Sequence, residues 1–244
     1  VTNSKSQVKP FSSDRSKREE VEEMFDNISH KYDFLNHFLS LGIDKLWRKR
    51  AIAELKEINP KTVLDVATGT ADLALEALTL EPESVIGVDI SEKMLDVGRQ
   101  KIAKRGIERV KLIKGDAVQM EFEDNQFDAI TVAFGVRNFD DLSLGLKEMN
   151  RVLRPGGKLV ILEFVNPVKF PIKQLYTFYS KYILPFWGKL FSGSKEAYVY
   201  LPESVKAFKE REELCKELEK CGYSHTKYTD LTFGICGLYT ARKA

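Results

Sequence analysis

Ten residues, Val63-Leu64-Asp65-Val66-Ala67-Thr68-Gly69-Thr70-Ala71-Asp72, constrain the fold of this chain more than any other stretch. An apolar strand ends there, small residues follow, and a helical pattern begins at once. Twenty positions beyond Gly69, Asp89 closes a second apolar run, Val85-Ile86-Gly87-Val88. In a parallel sheet this pairing sets a nucleoside across the ends of two neighbouring strands. The small residues admit the ligand close to the backbone, and the later carboxylate accepts hydrogen bonds from ribose hydroxyls. The chain is therefore expected to bind an adenosine cofactor.

The flanking pattern supports such a sheet. Strands are predicted at 62–66, 85–89, 110–113, 127–134 and 158–164, with helices at 70–78, from an N-cap at Ser91 through Ile102, and at 142–153. The continuous apolar run 127–134 suits a strand buried on both faces, as parallel sheets require. Alternating strands and helices imply a doubly wound α/β fold with right-handed connections. Ahead of the sheet, Val21, Met24, Phe25, Ile28 and Tyr32 recur at helical spacing, and a second helix is expected from Asp44 to about Glu57. Beyond Pro167 the chain turns aromatic. Residues 171–191 read as helical, 203–221 as one charged amphipathic helix, and 223–228 with 231–242 as an edge hairpin turning at Thr229-Asp230.

The 244 residues fit one large domain with appended caps, long enough to bury a core without disulfides. Residues 1–18 are basic and Ser-rich, and are expected as a disordered arm. The remainder, 19–244, divides into a helical cap at 19–58, the sheet, and a helical lid insertion at 168–200. A net charge of +2, from 38 basic and 36 acidic residues, gives no electrostatic case for nucleic acid. Cys215, Cys221 and Cys236 form neither a metal pattern nor an even disulfide set, and suit a reducing cytosol. The most apolar long segment, Ile172 to Phe191, is interrupted by Lys173, Lys181, Pro185 and Lys189. No spanning helix and no secretory signal are expected.

The bend narrows the choice of cofactor. Dinucleotide folds use G-x-G-x-x-G to bring a helix N-terminus to a pyrophosphate, whereas Ala67–Asp72 holds the single glycine Gly69. S-adenosylmethionine carries no phosphate and needs only a small-residue bend and a ribose carboxylate. A nicotinamide oxidoreductase is thus the weaker reading. Gly115-Asp116-Ala117, after the third strand, lies where an adenine would sit. Asp116 can accept from its amine there, or can simply cap a turn.

A resemblance then becomes specific. Tyr32-Asp33-Phe34-Leu35-Asn36, Ala67 to Leu73, Phe134-Gly135-Val136-Arg137-Asn138, Arg151-Val152-Leu153-Arg154-Pro155-Gly156-Gly157, Leu162-Glu163-Phe164 and Tyr200-Leu201-Pro202-Glu203-Ser204 occur in that order. Together they resemble the ubiquinone/menaquinone biosynthesis C-methyltransferase family, and within it the branch that methylates demethylmenaquinone. The likeness runs from about Glu20 to the C-terminus. It implies a class I, Rossmann-like methyltransferase fold with a mainly parallel seven-stranded sheet, a C-terminal antiparallel hairpin, and a helical cap and lid. It implies S-adenosyl-L-methionine as cofactor and C-methylation of demethylmenaquinol to menaquinol. A ubiquinone precursor or another small phenolic lipid stands as the alternative substrate, and a non-catalytic scaffold of quinone synthesis as an alternative of another class. The cofactor is expected on Asp65, Ala67, Gly69, Thr70, Asp89, Ile90, Asp116 and Ala117. The sequence departs from the family at Ala71, where glycine is usual, at Ala133, where some members have serine, and at Tyr239, where many have histidine.

The implied chemistry needs no metal. The ring carbon must be made nucleophilic by deprotonating, or strongly hydrogen-bonding, an adjacent phenol. Arg137 and Asn138 follow the fourth strand at the ligand-binding edge of the sheet. Arg137 is a poor base, so it is assigned stabilisation of a developing phenolate, or polarisation of a water. The alternative is a loop pairing with Asp140 or Asp141. Tyr32, Asp33 and His30 are candidates to take the phenolic proton. Core packing for Tyr32, turn capping for Asp33 and simple exposure for His30 stand beside that role. An isoprenoid tail would need an apolar slot, for which Phe170, Leu175, Phe178, Tyr179, Ile183, Phe186, Trp187 and Phe191 are available, unless they are ordinary core. An isoprenoid quinol is thus the expected partner. A membrane surface and a second copy of the chain are left open, and the expected location is the cytoplasm, reaching to the inner face of the membrane.

Overall fold

A computed structural model describes residues 8–11, 13–183 and 195–244. In chain order the elements are α1 (Lys17–Leu39), α2 (Ile43–Ala53), β1 (Thr62–Val66), α3 (Asp72–Ala77), β2 (Ser84–Asp89), α4 (Glu92–Lys104), β3 (Val110–Lys114), β4 (Phe127–Ala133), α5 (Leu142–Val152), β5 (Leu153–Phe164) and α6 (Ile172–Phe178). A π-helical turn, Tyr179–Ile183, continues α6. Then come α7 (Lys195–Ala207), α8 (Glu212–Lys220), β6 (Tyr223–Leu231) and β7 (Cys236–Lys243). Phe186, Trp187 and Phe191 lie outside the described residues.

The seven strands form one sheet in the order β3-β2-β1-β4-β5-β7-β6. β1 to β5 run parallel, and β7 pairs antiparallel with both β5 and β6. Successive side chains on the central strands point to opposite faces, and each face carries its own core. Leu64, Val66, Ile130 and Val132 pack beneath α5 and α8, through Leu146, Met149, Leu214 and Leu218. Val63, Ala129, Val160 and Leu162 pack beneath α2, α3 and α4, through Trp47, Ile52, Ala74 and Leu95. Strand order reverses between β1 and β4, so the crevice at their carboxyl ends is where such sheets bind ligands.

Several expectations are corrected. The basic arm was expected to be disordered through residue 18, yet its described part is held from residue 8 onward. Backbone N–H groups of Phe11 and Ser13 donate to the fully buried Glu20 carboxylate, and α1 starts at Lys17 on a Ser16–Glu19 capping box. The single helix expected at 203–221 is two. The chain breaks between α7 and α8, where Arg211 adopts a left-handed φ of 57° and its N–H donates to the Tyr239 hydroxyl. The hairpin turns at Thr232–Gly234 rather than at Thr229-Asp230, which lie within β6. Leu153 already pairs with Phe127, and Arg154–Gly157, expected as a turn before the strand, lie within β5.

Candidate active site

The bend after β1 is built from left-handed residues: Ala67 at φ 52°, Gly69 at 55° and Ala71 at 68°. A side chain in this region costs about 1 kcal/mol, which explains why a glycine suits position 71. Beneath the bend, the Asp65 carboxylate is only 1% exposed and accepts from Thr68 Oγ1 and Thr131 Oγ1, both at 2.6 Å. Burial pushes Asp65 up to about 6. It locks the loop from below. Above it, the Gly69 N–H donates to Asp89 Oδ2 at 2.8 Å, and the Ser91 N–H donates to Oδ1 at 2.9 Å. The two ends of the sequence signature are therefore hydrogen-bonded to each other. Burial raises Asp89 to about 6 as well, against those two donors.

Two cavities meet at this edge. A narrow crevice of about 70 Å³ is lined by Gly69, Val88, Asp89, Ile90, Met94, Asp116, Ala117 and Asn138, among others. A wider, mainly apolar cavity of about 320 Å³ runs past Asp65, Thr70, Arg48, Arg137, Phe164, Tyr176 and Tyr200. Tyr32, Ala67, Gly69, Ala133 and Phe134 border both. The backbone after β4 approaches the bend closely at this junction. A Cβ on Gly135 would stand 2.5 Å from the Ala67 Cβ, so the Phe134–Asn138 motif needs glycine at that position.

All eight residues expected to hold the cofactor border one cavity or the other. The crevice also fits a nucleoside on its own terms, with carboxylates at Asp89 and Asp116, the apolar Ile90 and Met94 between them, and glycine or alanine along the bend. Asp116 is partly engaged already. Its Oδ2 pairs with Arg18 Nε of α1 at 2.6 Å.

The candidates for chemistry divide. Arg137 is only 7% exposed at its side chain and borders the wide cavity. Its partner is the fully buried Glu163, at 2.7 Å, rather than Asp140 or Asp141; Nη1 also donates to the Phe134 carbonyl. Asn138 lies beside it, accepting from the Tyr200 hydroxyl at 3.1 Å. Tyr32 stands at the junction. Burial pushes its phenol above the usual value, against a hydrogen bond with Asn36 and the charge of Arg137, so at neutral pH it is a donor and not a phenolate. Asp33 borders neither cavity. It accepts from Thr70 Oγ1 and pairs with Lys101 at 2.5 Å, fastening α1 to the bend. His30 is exposed and borders neither cavity. Tyr239 is buried against the Arg211 N–H, far from a catalytic use.

Sequence reasoning expected a helical cap but missed the contacts that seat it as a roof. α1 crosses the ligand edge, with Lys17 Nζ donating to the carbonyls of Arg137 and Phe139, both at 2.9 Å, and Asp26 accepting from Ser91 Oγ at 2.6 Å. Its amphipathic spacing was legible, but its polar partners lie up to 122 residues away. Among the described residues there is no cluster of His, Cys, Asp and Glu able to hold a metal, and no helix long and apolar enough to cross a membrane.

A family model described as the ubiE/COQ5 methyltransferase family matches residues 13–243. The chain belongs to the ubiE/COQ5 methyltransferase family. This methyltransferase is 52% identical, over 97% of both chains, to a Bacteroides fragilis protein named demethylmenaquinone methyltransferase. A Deinococcus radiodurans protein of the same name is 44% identical over 96% of this chain and 97% of its own. A Geotalea daltonii protein named ubiquinone/menaquinone biosynthesis C-methyltransferase is 45% identical over 93% of this chain and 97% of its own. Among solved structures, a SAM-dependent methyltransferase of Thermotoga maritima superposes with a TM-score of 0.65 at 20% identity, covering 91% of this chain and 99% of that one. That likeness speaks for the methyltransferase fold.

Proposed function

We propose that this methyltransferase uses S-adenosyl-L-methionine to methylate a ring carbon of demethylmenaquinol, giving menaquinol. The observation that carries the reading is the junction. A carboxylate-lined crevice opens, past alanine and glycine only on one side, into an apolar cavity faced by a buried guanidinium. The names of relatives at 41–52% identity over nearly the whole chain agree with it.

In this reading Asp89 holds the ribose hydroxyls, Asp116 and Ala117 face the adenine, and the bend around Gly69 and Thr70 holds the methionyl part. When bound, the cofactor supplies an electrophilic methyl group. The chain's own residues act on the ring oxygen. Arg137, held by Glu163, stabilises negative charge on the ring oxygen next to the reacting carbon. Asn138, fixed by Tyr200, and the neutral Tyr32 phenol orient that oxygen or a water beside it. Phe134, Phe164 and Trp47 form an aromatic wall, with ring centroids 4.5–6.1 Å apart, that excludes water and aligns the ring.

The test is incubation of the purified protein with labelled cofactor and a panel of reduced demethylquinones, with mass analysis of products. Label on the demethylmenaquinol ring carbon is expected. Cofactor binding with no product from any quinol would support a scaffold instead. Preferential label on a ubiquinone precursor would support the second reading, which the Geotalea daltonii relative's name favours.

Peripheral contact with a membrane belongs to the same reading, because the substrate's tail is insoluble. Leu41, on the cavity wall, is 84% exposed. Phe233, next to the lining Thr232, is 75% exposed, and Phe178 in the lid is 57% exposed. Lys173 and Lys181 stand exposed beside the last of these. Exposed apolar side chains, with lysines near the last of them in the chain, suit an interface of lipid and water. The protein is expected to float with anionic vesicles, less so when Leu41 and Phe233 are both replaced by serine. No flotation with either neutral or anionic vesicles would remove the idea.

A further inference from the structure

The crevice accounts for the nucleoside but leaves the charged amino-acid end of the cofactor without a counter-charge. We infer that Arg48, on α2, binds the α-carboxylate of that end; the inference rests on the cofactor reading above. A carboxylate brought into a confined site needs a charge-assisted donor, since an unpaired buried charge is strongly disfavoured.

Position selects Arg48. The order Asp116, Asp89, Gly69 sets adenine, ribose and sulfur along the crevice, and Gly69 also borders the wide cavity, which Thr70, Asp72 and Arg48 line. Among the described residues, all three cationic groups bordering the two cavities are paired, Arg48 with Asp44 and Asp72 through Nη2 alone. Arg137 is bound to Glu163, and Arg18 to Asp116 at the adenine end. Lys101 lies close but is tied to Asp33 and Asp72, at 2.5 and 2.8 Å.

Arg48 is built for the task. It is only 9% exposed. One guanidinium nitrogen, Nη2, is fixed by Asp44 at 2.5 Å and by Asp72 at 3.2 Å. Asp44 is in turn ionised firmly. Its carboxyl lies below the usual value despite burial, because Ser40, Arg48 and His37 all face it. No hydrogen bond to Nε or Nη1 is made among the described residues. An oriented guanidinium with donors to spare, on a cavity wall, matches the planar fork a carboxylate requires.

The experiment is calorimetric and needs no turnover. S-adenosylhomocysteine is compared with 5′-methylthioadenosine, which keeps the nucleoside and thioether and lacks the amino-acid end. Wild-type protein is expected to favour S-adenosylhomocysteine. Arg48→Met should weaken S-adenosylhomocysteine roughly ten- to a hundredfold while leaving methylthioadenosine within about twofold, and Arg48→Lys should recover part of the loss. Equal weakening of both compounds, or of neither, would overturn the role. The wild-type protein supplies a second arm that does not depend on the variants folding. Decarboxylated S-adenosylmethionine should bind at least tenfold more weakly than S-adenosylmethionine, and equal binding would overturn the role too. Asp89→Ala separates this from the underlying reading. If that variant binds methylthioadenosine as tightly as wild type does, it is the nucleoside site that has been misplaced.

Discussion

Arg137→Ala is expected to lower turnover about 10²- to 10³-fold while changing cofactor affinity about twofold or less. The asymmetry follows from where the side chain sits. Arg137 borders the apolar cavity, not the nucleoside crevice, and its charge acts only once the ring oxygen becomes anionic. The substitution also strands Glu163, which is fully buried and has Arg137 as its salt-bridge partner at 2.7 Å. Breaking a buried pair from one side costs about 3–5 kcal/mol, so the variant should melt well below wild type. The double variant Arg137→Ala, Glu163→Gln removes the stranded charge. It should regain much of the lost stability and none of the turnover. Steady-state rates with purified quinol, beside calorimetry of the cofactor, separate the two effects. A folded Arg137→Ala protein turning over like wild type would end the catalytic assignment.

Asp89→Ala is expected to weaken cofactor binding by roughly 1.5–3 kcal/mol, about ten- to 150-fold, because two ribose hydroxyls lose an ionised acceptor. The same change orphans the Gly69 and Ser91 N–H groups that the carboxylate satisfies, so Asp89→Asn, which keeps an acceptor oxygen, is the gentler comparison. The binding is also expected to depend on pH with a definite sign. Burial holds the Asp89 carboxyl up to about 6 in the free protein, with Asp26 and its charge adding to that effect. The hydroxyls require the ionised form, so affinity should be level above about pH 7 and fall as pH drops through 6, by at most tenfold per unit. Asp65, raised to about 6 as well, titrates beneath the bend and contributes to the same window. Calorimetry at several pH values, on wild type and on Asp89→Asn, isolates the Asp89 share. A profile in the Asn variant that matches wild type would assign the dependence elsewhere.

What could be read from sequence was local. The bend after β1 and the Ser91 cap follow from residues within a few positions of one another, and β1 to β4 lie within two residues of their expected limits. What escaped was set by partners distant along the chain. Asp140 and Asp141 were the nearest carboxylates to Arg137 in sequence, but Glu163 reaches it because β4 and β5 lie side by side. Asp33 looked catalytic beside Tyr32, yet successive residues on a helix face different ways, and Asp33 turns to Thr70 and Lys101. The break at Arg211 interrupts a continuous amphipathic pattern because the Tyr239 hydroxyl and the Asn166 carbonyl claim its polar groups. Thr229-Asp230 has turn composition, but the hairpin reverses where Phe233 and Gly234 take positive φ.

The roof helix has a thermodynamic corollary. α1 covers the narrow crevice at Arg18 and Val21, the apolar cavity at Met24, Ile28, Asn36 and Leu39, and both at Phe25 and Tyr32. One rigid rod thus closes both chambers. Whichever ligand arrives first steadies it and spares the second that ordering cost, so the two should bind cooperatively, and by linkage each must help the other to the same degree. Demethylation of the cofactor and release of the methylated quinol would then loosen the rod from both ends, coupling the departure of one product to that of the other.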